Sequence, residues 1–265
     1  MRPLYAYMAL LRRDLTVYLS YRTRLVSQLL TSLFSITLFY YVSRLVHVSG
    51  FATPTSYFSF VVVGIAMVGV LYSCFTIPDL VRQELVAGTF DRLLLSPFGA
   101  TSSILAMALF PLLYSFVLAT ATLLIACAVF GLHLHLATVP LAIPVMALTL
   151  VALLPLGMLF AALTIVVKQG SVGTSWVIAL FSIVGGLYFP VSVLPSWLRG
   201  LAQLQPFTPA TGLLRHLLVD ASGAPAPAHS LLKLFLFAVA LVPLSTFALS
   251  RAIRFGQARG TIIEY

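Results

Sequence analysis

Charge is scarce in this chain. Asp, Glu, Lys and Arg together make up 8% of its 265 residues, where an ordinary globular domain carries about 25%. Acid is scarcer than base, six Asp+Glu against 15 Lys+Arg. The only lysines are Lys168 and Lys233, and neither follows a glycine. A G-x-x-x-x-G-K-[ST] phosphate loop is therefore missing, which removes nucleotide hydrolysis from this polypeptide. Also missing are an H-E-x-x-H pair and a nucleophile-base constellation of Ser or Cys. Two cysteines occur, Cys74 and Cys127, both inside apolar runs. They read as packing residues, not as a disulfide framework or metal ligands. His133 and His135 alternate in "GLHLHL" without a third ligand, a poor basis for a metal site. No metal and no cofactor is expected on the chain itself.

What is present is apolar. Hydrophobic residues make up 61% of the chain, well above the roughly 45–50% of soluble domains. Such a chain needs lipid as its solvent, so we expect an all-α integral membrane protein. A window of about 20 apolar residues gives six transmembrane helices: Leu25–Val46, Tyr57–Ile77, Ser102–Phe130, Val139–Val167, Gly173–Phe189 and Leu231–Ser250. Pro140, Pro144 and Pro155 are expected to kink the fourth. Arg12, Arg13, Arg22 and Arg24 precede the first apolar run, too far from the start for a cleavable leader, so that run is expected to be retained.

Basic residues set the orientation. A cytoplasmic start places Arg2, Arg12, Arg13, Arg22, Arg24, Arg82, Arg92, Lys168, Arg251, Arg254 and Arg259 inside, with Arg199 and Arg215 outside. Both termini are therefore expected in the cytoplasm of a multi-pass protein. The arginines flank apolar runs and form no exposed stripe, which speaks against nucleic acid as a partner.

Three segments do not span. Residues 1–22 mix Leu, Met and Tyr with Arg12, Arg13 and Asp14, which suits an interfacial helix with tyrosines at headgroup level. Residues 190–228 are broken by proline and are expected outside, as short re-entrant helices. Ser196 would cap "WLRGLAQL", and "SGAPAPA" would serve as a linker. The third segment, 79–97, is an island of charge between spans two and three. Asp79 is expected to cap a first helix, Gly88 to interrupt it, Thr89 to cap again, and Pro97 to end the second piece. Glu84 and Asp91 then stand beside the apolar knobs Leu85, Phe90 and Leu94, a surface suited to docking in another protein's groove.

That island, "ELVAGTFDRLLLSP" (84–97), resembles the signature of type-two ABC-exporter permeases, the membrane subunits driven by ATP-binding cassettes. "GGLYFPVSVLPSWLRGLAQLQPFTPATGLLRHLL" (185–218) is similar to the same family's run after span five, with Gln205 where Asn is common. The resemblance covers nearly the whole chain, as one permease domain over residues 1–265. It implies that 79–97 is a coupling helix seated on a separate nucleotide-binding subunit, with Glu84, Gly88, Thr89, Phe90, Asp91 and Leu94 at the joint. ATP and Mg would sit on that partner. A second copy of the chain would complete a homodimer.

The resemblance further implies a pathway lined by spans two and five: Val62, Val63, Met67 and Leu71 with Phe181, Leu187 and Tyr188. Phe189 and Pro190 would form an outer gate, and Arg12, Arg13, Arg22 and Arg24 would meet phosphate headgroups of membrane lipids. The expected activity is export of an amphipathic or hydrophobic cargo (drug-like compound, lipid or lipid-linked glycan) across a prokaryotic inner membrane. The rival is an ion- or proton-coupled secondary transporter. Such proteins bury carboxylates in their spans, and none of the six spans assigned above contains one. A membrane enzyme and a structural scaffold fit less well still.

Overall fold

The computed structural model describes residues 2–20, 22–45, 51, 53–96, 99–167, 172–219 and 227–258. Among them the chain is helical throughout: α1 (Arg2–Ser20), α2 (Arg22–Leu45), α3 (Pro54–Cys74), α4 (Thr76–Val86), α5 (Phe90–Leu94), α6 (Ala100–Phe130), α7 (Val139–Val167), α8 (Val172–Val184), a 3-10 turn (Val191–Val193), α9 (Ser196–Gln203), α10 (Phe207–Val219) and α11 (Pro227–Ala258). Five stretches among the described residues are long and apolar enough to cross a membrane: Leu25–Leu45, Pro54–Val86, Ala100–Phe130, Val139–Val167 and Ala228–Ala258.

The fifth expected span ends earlier than Phe189, at Val184. Among the described residues α8 has 13 residues, which rise about 20 Å, short of a hydrocarbon core of about 30 Å. The reason lies at Gly185–Gly186. Gly186 has φ 76°, a left-handed conformation that glycine alone adopts readily, and the chain turns back there into the 3-10 turn, α9 and α10.

α3 is the axis of the bundle, buried along most of its length between α2, α6, α7 and α10. Its start is fixed by a capping box. The Ser56 amide donates to Thr53 Oγ1 at 3.2 Å, the Thr53 amide donates to Ser56 Oγ at 3.3 Å, and Pro54 opens the first turn. At its far end Phe75 turns the chain into α4. Its buried ring meets Phe160 and Phe181 edge-on, at 5.3 and 6.1 Å between centroids.

α7 is helical from Val139 to Val167 with Pro144 and Pro155 inside it, and Pro140 falls in its first turn, where a missing amide costs nothing. One expectation about helix punctuation is corrected. α4 begins at Thr76, so Pro78 and Asp79 lie within its first turn and Asp79 is not its cap.

α7 packs along α11 and against the start of α4. A Cβ added at Gly157 would lie 2.0 Å from the Cys74 carbonyl oxygen and 3.0 Å from Ile77 Cδ1. The obstacle is backbone, so the helices must part. Gly157→Val is expected to lower the thermal midpoint in detergent by about 5 °C or more. Gly200→Ala on α9, where a Cβ meets nothing within 4 Å, is expected to leave it unchanged.

Candidate functional site

The charged island folds as helix, break and helix. α4 closes at Ala87, whose amide donates to the Gln83 carbonyl at 2.9 Å, and Gly88 takes φ 65°. The Thr89 amide then donates to the Glu84 carbonyl at 3.0 Å. Thr89 stands at the cap position of α5 without capping it. Its hydroxyl donates instead to a Glu84 carboxylate oxygen, with Arg92 Nη2 3.9 Å from the same oxygen. Glu84 is thus held across the break by the second helix, which fixes the bend and aims the carboxylate.

The apolar side chains expected to project from the island face the bundle. Phe90 and Leu85 are buried in the main core, together with Val81, Ile77, Met67 and Leu71. Leu94 is half-buried against the same core. These residues anchor the corner to the bundle. What the corner exposes is Arg82, Gln83, Val86, Gly88, Asp91, Arg92 and Leu95. Val86 and Leu95, 60% and 84% exposed, are its outward apolar side chains. Sequence reasoning missed them because which face of each short helix meets the bundle is set by packing against residues distant in sequence.

The proposed pathway residues sit inside the chain's own packing. Val63, Met67, Leu71 and Leu187 belong to the main core, with Phe181 and Tyr188 packed on it. Val62 lies in a separate cluster with Ile36, Phe58, Ala126 and Leu132. Tyr188 stacks on Phe39 of α2, 5.1 Å between centroids. Phe189 is exposed at the surface and Pro190 is buried, so the two gate residues face different surroundings. α3 keeps one less-packed stripe: Ile65, Val68, Gly69 and Tyr72, spaced three and four apart on one helix face.

Gly69 and Tyr72 of that stripe line a cavity of about 740 Å³ between α1, α2, α3, α4 and α6, walled also by Arg13, Tyr18, Gln28, Asp79 and Tyr114 among others. Tyr18 was expected at headgroup level. Instead it is buried, donates to Gln28 Oε1 at 2.8 Å and packs on Tyr114 at 4.5 Å, which pins α1 to the bundle. Tyr114 donates to the same Gln28 oxygen. Of the four candidate headgroup arginines, Arg13 lines this cavity and pairs with Asp14 at 2.8 Å. Arg12 is exposed outside it. The side chains of Arg22 and Arg24 lie outside the described residues.

At the opposite end stands Arg215. Counted from sequence among the basic residues outside, it is 3% exposed. It clamps the chain reversal, with Nε donating to the Phe60 carbonyl at 3.0 Å, Nη1 to Gly186 at 2.8 Å and Nη2 to Leu187 at 2.9 Å. Its guanidinium carbon lies 3.4 Å from the Phe60 ring centroid. The signal was present, an arginine in the otherwise apolar helix "TPATGLLRHLL", but Phe207–Val219 was read only as part of the short re-entrant helices of 190–228. The loop after α6 joins the same end: the His135 amide donates to Leu218 at 2.9 Å and Thr138 Oγ1 to the Leu217 carbonyl. α9 starts at Ser196 without a side-chain cap, while Arg199 holds the 3-10 turn through the Ser192 and Leu194 carbonyls, both at 3.0 Å. Residues 222–226 of the expected linker lie outside the described residues, and Pro227 and Ala228 begin α11.

No curated protein matches the chain at a significant level of sequence similarity. The model of the family described as ABC-2 type transporter does match it, over residues 5–219. That range takes in α1, the bent α4–α5 corner, the central α3 and the whole clamped reversal, and the chain belongs to the ABC-2 type transporter family as its membrane permease domain.

Proposed function

We propose that the chain is the permease subunit of an ATP-driven exporter, with ATP and Mg held by a separate cassette ATPase that grips the α4–α5 corner. The observation that carries this reading is mechanical. α3 and α4 form a nearly continuous lever from Pro54 to Val86, and the buried side chains of the corner share one core with Met67, Leu71 and Leu187. Interiors of this density do not deform smoothly. A push on Glu84 or Asp91 therefore moves α3 as a body.

Two copies would place two such corners on two cassettes, with the pathway along the two-fold axis. The stripe Ile65, Val68, Gly69 and Tyr72 would face the pathway, and Val62, Val63, Met67, Leu71, Phe181, Leu187 and Tyr188 would form the packed wall behind it. Its gate would be at Phe189–Pro190. The apolar lining suits an amphipathic or hydrophobic cargo, moved outward by alternating access, with Arg13 near a headgroup in the 740 Å³ cavity. The fifth crossing would be made by α8 together with the re-entrant segment.

The test is capture of the full-length chain from native membranes, followed by nucleotide-dependent transport in proteoliposomes. A cassette ATPase is expected in the captured complex. A chain that transports its cargo with no nucleotide present would contradict the proposal. A tag at either terminus is expected to be reached by protease only from the cytoplasmic side, and a tag in residues 222–226 only from outside. The reverse pattern would overturn the orientation.

A further inference from the structure

The clamped reversal encloses a second, smaller cavity of about 240 Å³, lined by Thr208, Thr211, Arg215, His229, Ser230 and Lys233 among others. It lies where α10 and the start of α11 meet Phe60 of α3 and the turn after α8. Two features of it ask for the same kind of ligand.

The first is uncompensated charge. Arg215 is fully buried, and every hydrogen bond described for it goes to a neutral carbonyl. Three of its five N–H donors are used in this way. Burying a charge against dipoles alone is costly unless a counter-charge is supplied. Among the described residues the carboxylates are Asp14, Asp79, Glu84 and Asp91, all on α1, α4 and α5 at the other end of the bundle. Lys233 adds a second cation to the wall, with a single described contact, 3.4 Å from its Nζ to Gln203 Oε1.

The second is an orphaned hydroxyl. Ser230 is 1% exposed, lines the cavity, and its Oγ has no hydrogen-bond partner. A buried hydroxyl left unpaired costs about 1–3 kcal/mol, so an acceptor in the cavity would relieve it.

We infer that this cavity is a binding site for a phosphate-class oxyanion, held by Arg215, Lys233 and the Ser230 hydroxyl. Its volume lies below the roughly 300–1,000 Å³ of drug-sized pockets, so it admits a headgroup or a free ion and not a whole amphipathic cargo. The inference does not depend on how the chain is driven.

The test uses the full-length chain in maltoside detergent, titrated with inorganic phosphate and followed by phosphorus NMR line broadening. A parallel arm measures its thermal midpoint in phosphatidylcholine nanodiscs with and without phosphatidic acid. Saturable phosphate binding is expected, weakened about tenfold in Ser230→Ala and again in Lys233→Gln, as loss of a hydrogen bond to a charged group implies. Stabilisation by phosphatidic acid alone, lost in both variants, would assign the oxyanion to a lipid headgroup. No response in either arm, or a response unchanged in both variants, overturns the inference. So does binding that emerges only in Asp220→Asn, because that carboxylate would then be the natural occupant.

Discussion

Glu84→Ala is expected to leave the permease folded and to lower cargo-stimulated ATPase activity of the reconstituted complex at least tenfold. The two halves of that result have separate causes. Within the chain Glu84 contacts Thr89 and, at 3.9 Å, an Arg92 whose side chain is 77% exposed. An ion pair so open to solvent contributes about 0–1 kcal/mol, so little stability is lost. Across a joint that excludes water, removing one partner of a charged contact costs about 2–5 kcal/mol, and tenfold requires only about 1.4. Thr89→Val separates aim from charge. It keeps the carboxylate but frees it from the second helix, and an intermediate loss of stimulation is expected. Full stimulation in Glu84→Ala, read as phosphate release with and without cargo, would remove Glu84 from the transmission of force.

Arg215→Met is expected to have the largest effect on folding of any single substitution in the chain. It strands the carbonyls of Gly186 and Leu187 in a buried setting and removes a second donor from the Phe60 carbonyl, which α3 already pairs. At about 1–3 kcal/mol for each unpaired group, the total reaches the lower end of the 5–15 kcal/mol by which typical proteins are stable. Arg215→Lys keeps a charge but not the planar fork that reaches three carbonyls, and recovers only part of the loss. Gly64 reports on the same clamp, because a Cβ there would lie 2.5 Å from the Leu187 oxygen and 2.8 Å from Arg215 Nη2. Monodisperse yield and thermal midpoint in detergent are the readouts. Arg215→Met with wild-type values would show that the clamp holds nothing.

The elements most legible in the sequence were those with strong punctuation and long apolar runs. α6 ends at Phe130 and α7 runs Val139–Val167 as expected, because Gly131, with φ 67°, marks the boundary locally. The break at Gly88 was legible for the same reason. What the sequence hid depends on contacts between distant segments. Phe90 resembles a docking residue until α5 is seen folded onto the core. Tyr18 resembles an interfacial anchor until Gln28 and Tyr114 close on it. Arg215 resembles a topology marker because its three acceptors lie 28, 29 and 155 positions away, beyond any local pattern. The short α8 was read as a full span because apolar composition continues past Gly185 while the backbone does not.

The measurement that tests the account most directly is a photo-crosslink from position 91, where the side chain is exposed on the corner and makes no core contact. A photoreactive amino acid replacing Asp91 in the assembled complex is expected to cross-link to a cassette ATPase subunit, with a yield that changes when ATP is added, while the same probe at His133 at the other end of the bundle does not. An assembled, transporting complex in which position 91 captures only solvent or lipid would contradict it.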